Sequence, residues 1–147
     1  MKPAGLSLYR EIVLEHTRHP RNCRRPANVD REAEGHNTLC GDKVRVFLTL
    51  DGDSLADVAF EASACAIATA SASLMTEAVK GKPLADARQA IDAFVGVLTG
   101  SGAGHLAGDL EALESVREYP SRVRCATLPW QTLRSALDAR RETVTTE

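Results

Sequence analysis

Lys43-Val44-Arg45-Val46-Phe47-Leu48-Thr49-Leu50-Asp51-Gly52-Asp53-Ser54-Leu55 is the stretch whose period decides the fold. Val44, Val46, Leu48 and Leu50 alternate with Lys43, Arg45, Phe47 and Thr49. Period two puts the first set on one face of a strand. Asp51-Gly52-Asp53 is a hairpin signal, and Leu55, Val58 and Phe60 carry a returning strand toward Cys65. Upstream, Ala33 to Leu39 is a weaker strand candidate. The expectation is a three-stranded antiparallel meander with one face buried.

Helical patterns flank this sheet. Leu6 to Arg18 repeats apolar residues at helical spacing, with Ser7 as an N-cap candidate, and His19-Pro20 ends it. Arg21 to Asp30 has no period and reads as an extended surface loop. Ala66 to Lys80 is a small-residue helix stopped by Gly81, and a helix starting at Pro83 carries Ala87, Ile91, Phe94 and Leu98 inward. Gly100-Ser101-Gly102-Ala103-Gly104 reads as a flexible loop, Asp109 to Arg117 as a short helix, and Tyr119-Pro120-Ser121 as a turn. Val123 to Arg140 closes the chain as a helix with Pro129 near its first turn. The class is α+β, a small sheet packed with helices, in one domain over 1–147 with flexible ends at 1–5 and 141–147.

Composition narrows the function. A net charge of -2 argues against a nucleic-acid binder. No apolar run is long enough to span a bilayer, and the N-terminus lacks a signal-peptide core, so a cytoplasmic protein is expected. In that compartment Cys23, Cys40, Cys65 and Cys125 are thiols or metal ligands before they are disulfides.

The chemistry concentrates at Cys40-Gly41-Asp42. Glycine at the centre lets a thiol and a carboxylate share one tight turn. Cys65 opens a helical run, where the helix dipole favours thiolate, and Cys125 lies between Arg122 and Ala126 with Arg124 beside it. Three thiols and a carboxylate match the four donors of tetrahedral zinc. Spacing alone leaves a second reading open, in which Cys65 and Cys125 are buried core thiols.

Three motifs in order add a resemblance. Leu8-Tyr9-Arg10-Glu11-Ile12-Val13-Leu14-Glu15-His16 with His19-Pro20-Arg21-Asn22 resembles the start of SufU proteins, in the IscU/NifU N-terminal superfamily of iron-sulfur cluster assembly proteins. Cys40-Gly41-Asp42 is similar to its first ligand motif. Phe60 to Ala68 with Ala70 to Met75 is similar to the second, and Arg122 to Trp130 to the third. Arg124 stands where IscU scaffolds have histidine, and 96–119 resembles the segment SufU proteins add; both favour the SufU branch. Thr38 and Ala64 depart from the proline and glycine common in the family, without removing a ligand.

The resemblance implies an IscU/SufU-like fold with a metal site at one end, and a zinc ion held by Cys40, Asp42, Cys65 and Cys125. It implies a sulfurtransferase in iron-sulfur cluster assembly, with Cys40 accepting persulfide sulfur from a SufS-type cysteine desulfurase and passing it to downstream Suf cluster-assembly proteins. The alternative is a non-catalytic IscU-like scaffold holding iron or a transient [2Fe-2S] cluster. Cys23 reads as a bystander, His36 and His105 as weak ligand candidates, and His16 and His19 as capping or partner-contact residues. Arg124 reads as a residue steering persulfide or a partner, or as a solvated charge, and Trp130 as core.

Overall fold

A computed structural model describes residues 5–100, 105–106, 108–140 and 143–146. Helix α1 (Gly5–Arg18) precedes strands β1 (Arg31–Asn37), β2 (Asp42–Asp51) and β3 (Ser54–Ser63). Helices α2 (Ala66–Val79) and α3 (Leu84–Thr99), a 3-10 helix (Gly108–Glu118), helix α4 (Pro120–Leu137) and strand β4 (Val144–Thr145) follow. The period-two stretch pairs as expected: β2 lies antiparallel to β3, with Val46 opposite Phe60. It lies antiparallel to β1, with Asn37 opposite Asp42.

The sheet departs from the expected three-stranded antiparallel meander. Its order is β3-β2-β1-β4, and β4 runs parallel to β1, with Gly35 against Val144 and His36 against Thr145. The sheet is therefore four-stranded and mixed. Two residues of a polar tail carry no readable period, and the open edge of β1 gives them a strand to pair with. The expected fraying end is thus paired at 144–145, while 1–4, 141–142 and 147 lie outside the described residues, as does the 101–104 part of the glycine-rich loop.

Other boundaries shift for local reasons. Helix α1 begins at Gly5, so Ser7 lies inside it and not at its N-cap. Tyr119 is the N-cap of α4 and Pro120 occupies its first turn, where a missing N–H costs nothing. Pro129 consequently falls mid-helix. The stretch expected as a short helix from Asp109 is a 3-10 helix beginning at Gly108.

The core forms between the inward face of the sheet and helices α2, α3 and α4. Val44, Val46, Leu48 and Val58 meet Leu74, Met75, Phe94, Leu128, Trp130 and Leu133 there. Trp130 stacks on Phe94, with ring centroids 4.3 Å apart, and its indole N–H donates to Ser71 Oγ. Trp130 is core, as its sequence context suggests. The outward face is not left bare. Phe47 is fully buried beneath the Arg25 guanidinium, and Asn22 O accepts the Phe60 N–H. The supposed surface loop 21–30 is thereby fastened along the sheet.

Candidate metal centre

The four sequence-selected donors arrive from three places in the fold. Cys40 and Asp42 belong to the turn joining β1 to β2, where Gly41 adopts φ +72 with open space around it. A residue with a Cβ is strained at that φ, so glycine sets the turn. Asp42 starts β2 with its side chain on the inward face and is only 3% exposed. Cys65 is the N-cap of α2, its sulfur accepting from the Ala68 N–H at 3.4 Å. Cys125 lies in the second turn of α4 and is buried.

Cys40, Asp42 and Cys125 each offer one ligand atom, and these atoms all lie within 4.8 Å of one another. The Cys40 and Cys125 sulfurs are 3.4 Å apart. Cys65 stands beside that trio, with its sulfur 3.6 Å from Asp42 Oδ2 and its backbone N–H donating to Asp42 Oδ1 at 2.8 Å. Asp42 therefore ties the first strand pair to the start of α2. Cys40 is the exposed member of the cluster, and Leu39 beside it is 72% exposed.

Electrostatics correct one expectation. Burial pushes the Cys65 thiol up, and the Asp42 carboxylate adds to that rise; the Ala68 N–H at the helix terminus opposes it without prevailing. Cys125 is likewise pushed up, first by burial and then by hydrogen bonding with Asp42 and Cys40. Arg122 and Arg124 are exposed on α4, so water screens the charges that the sequence places next to Cys125. Without a cation the two inner thiols stay protonated at neutral pH.

The donor set fits a metal. Three soft thiolates with one harder carboxylate oxygen are ionisable donors that suit zinc or an iron-sulfur cluster. The 3.4 Å between the Cys40 and Cys125 sulfurs approaches the sulfur–sulfur edge of about 3.8 Å for tetrahedral zinc, and the 3.6 Å from the Cys65 sulfur to Asp42 Oδ2 is near the sulfur–oxygen edge of about 3.5 Å.

The remaining candidates fall elsewhere. His36 pairs with Glu34, and exposed His105 with Glu114. His16 is buried against Ser73 Oγ at 2.7 Å, and burial lowers its pKa, so it belongs to the α1–α2 packing rather than to an exposed partner contact. Cys23 is exposed and pairs with Phe60 along the outer edge of β3. Two neighbours of the cluster escaped sequence reading. Asn37 is fully buried and accepts the Leu39 and Cys40 N–H groups. Tyr9 has a phenol raised by burial, opposed by Arg122 and reinforced by Cys65 and Cys125. Asn37 had a local signal, an Asx residue opening a turn before a glycine. Tyr9 had none beyond its helical spacing.

Comparison with known proteins places this geometry. Residues 8–139 match the family model for the NifU-like N terminal domain. The zinc-dependent sulfurtransferase SufU of Bacillus subtilis is 38% identical over 129 residues, covering 86% of this chain and 87% of that protein. The iron-sulfur cluster assembly scaffold protein IscU of Streptococcus pyogenes is 33% identical over 132 residues, covering 88% of this chain and 82% of that protein. A crystal structure from Fervidobacterium islandicum AW-1, described as an iron-sulfur cluster assembly scaffold protein for the SUF system, superposes with a TM-score of 0.83. It is 31% identical, and the match covers 91% of this chain and 99% of that one.

Proposed function

This chain belongs to the family of the NifU-like N terminal domain, and from that premise we propose that it is a zinc-dependent sulfurtransferase of iron-sulfur cluster assembly, accepting persulfide sulfur on Cys40 from a SufS-type cysteine desulfurase. The observation that carries the reading is the asymmetry of the cluster. Cys40 is exposed on a glycine turn, while its neighbour Cys125, 3.4 Å away, is buried. One thiol can meet a partner while Cys125 stays buried and Cys65 half-buried. The similarity to a protein named as a zinc-dependent sulfurtransferase supports the same reading.

The residues divide the work. Asp42, Cys65 and Cys125 form the inner wall, and with Cys40 they would hold zinc. When bound, zinc keeps thiols deprotonated without entering redox chemistry itself. Cys40 is the nucleophile: its thiolate attacks the outer sulfur of the desulfurase persulfide. A new S–S bond forms at Cys40 as the donor S–S bond breaks, and the donor cysteine leaves as thiolate. Sulfur moves with no external oxidant or reductant. Gly41 gives the turn the freedom to bring Cys40 out while Asp42 stays anchored through the Cys65 N–H.

A second reading has one observation in its favour: three thiolates and a carboxylate also suit a [2Fe-2S] cluster, and a relative named as an IscU scaffold is 33% identical. Arg124 weighs against it, because a guanidinium has no lone pair to offer where scaffolds of the resembling family have histidine. The test measures metal content and desulfurase turnover together. About one zinc per chain, faster turnover and labelled sulfur on Cys40 are expected. Cys40→Ser is expected to lose the labelled sulfur and the acceleration, and Cys23→Ser to keep both. Bound iron with acid-labile sulfide and unchanged turnover would establish the scaffold instead.

A further inference from the structure

The turn that carries Cys40 takes two of its backbone hydrogen bonds from one buried side chain. Asn37 and Asp42 are paired across β1 and β2 and close a loop over 38–41. Within that loop Leu39 projects into solvent, and a Cβ built on Gly41 meets nothing within 4 Å. Packing of Leu39 and Gly41 therefore does not set the loop. Asn37 reaches into it from below: Oδ1 accepts the Leu39 N–H at 3.2 Å and the Cys40 N–H at 3.4 Å.

The cost of that arrangement points to its purpose. Asn37 is 0% exposed, and its Nδ2 is buried with no hydrogen-bond partner. A buried orphan donor is unfavourable, and an apolar side chain of similar volume would fill the space without it. Turning the carboxamide over would aim its NH2 at two N–H donors and orphan the oxygen, so the network fixes its orientation. Gly35, two residues back on the same face, seats under Leu128 and Thr132 of α4, whereas Cys40 meets Cys125. Asn37 thus lies where the sheet passes under the helix turn leading to Cys125.

We propose that Asn37 is the positioning residue of the sulfur-accepting loop: its Oδ1 holds the Cys40 backbone so that the thiol stands over Cys125 and open to a partner. The part of this that concerns sulfur rests on the function proposed above. The part that concerns the loop does not.

The test uses the full chain with Asn37→Leu, which fills the site without an acceptor, and Asn37→Asp, which restores the acceptor. In metal-free protein, amide hydrogen exchange at Leu39 and Cys40 is followed by NMR. Asn37→Leu is expected to exchange both at least tenfold faster. Asn37→Asp is expected to recover most of the protection. With the desulfurase, Asn37→Leu is expected to lower sulfur-transfer kcat at least tenfold and to leave KM for the desulfurase within twofold. Unchanged exchange in Asn37→Leu would overturn the clamp. Faster exchange with unaltered kcat would overturn its role in positioning Cys40. A wild type that accepts no sulfur, with the exchange contrast intact, would support the clamp and overturn the sulfurtransferase reading alone.

Discussion

Gly35 shows how closely β1 and α4 approach beside the cluster. A Cβ placed there would overlap Thr132 Oγ1 and lie 3.0 Å from Leu128 Cδ1. Thr132 cannot easily turn away, because its hydroxyl donates to Leu128 O at 2.7 Å and its χ1 is stiff. Gly35→Ala is therefore an overpacking change, expected to cost about 1–3 kcal/mol. Urea denaturation would read it as a lower midpoint. A double variant with Thr132→Ala should recover part of the loss, and strict additivity would show that the clash is not the cause. At this scale the sequence is only half legible. Cys40, Gly41 and Asp42 are legible as a thiol and a carboxylate sharing one glycine turn, a modest signal that the family resemblance strengthens. Asn37 and Gly35 act through what lies above them, and nothing local says that α4 crosses there.

Among elements, α4 and α2 determine whether the thiols meet, because each carries one inner cysteine. Ser71 joins them: its hydroxyl donates to Ala126 O at 2.5 Å and accepts from Trp130 Nε1 at 3.0 Å, all buried. Ala126 follows Cys125, so the bond fixes the helix turn that presents the thiol. Pro129 acts in the same place. It lacks the N–H that would bond the Cys125 carbonyl four residues back, which loosens that turn and leaves Ser71 to define it. Ser71→Ala orphans a buried indole N–H and removes the extra donor on the Ala126 carbonyl, and is expected to destabilise by about 1–3 kcal/mol. Thermal melting would check the stability. A chelator competition should also show weaker zinc binding, since Cys125 loses its fixed position; unaltered affinity would mean that α4 is aligned by the apolar core alone. The elements themselves were legible where period and punctuation agreed, as in β2, the Asp51-Gly52-Asp53 hairpin and α2. They were not where an element rests on a distant partner. Strand β4 exists because β1 has an open edge, and the start of α4 at Pro120 reads as a turn until the helix beyond it is seen.

The whole molecule draws its stability from two sources that can be separated. The apolar core runs from the sheet through Trp130 and Phe94 to α3, with Ile91, Val97 and Leu98. Of the cysteines only Cys125 is buried with it. The cluster instead joins the β1–β2 turn, the start of α2 and the second turn of α4 at one corner. In a zinc finger the metal replaces a missing core, and removing it unfolds the chain. Here a metal would add to a fold already closed. Binding to the native state alone stabilises by RT ln(1 + [L]/Kd), about 4 kcal/mol when free ligand is a thousandfold above Kd. For a chain of this length that corresponds to a melting shift of roughly 10 °C. Zinc-loaded protein stripped with chelator is therefore expected to melt about 10 °C lower yet to keep its helical circular dichroism and a cooperative transition at 25 °C. Loosening should concentrate at the Cys40 turn and the first turn of α2, which hydrogen exchange would resolve residue by residue. Loss of all helical signal on chelation would mean that the metal is structural, and the exposed thiol would then be a ligand before it is a nucleophile. Retention of the fold is the behaviour that sulfur transfer on Cys40 requires, because the thiol must part from its neighbours while Asn37 and Asp42 still hold the ends of the turn.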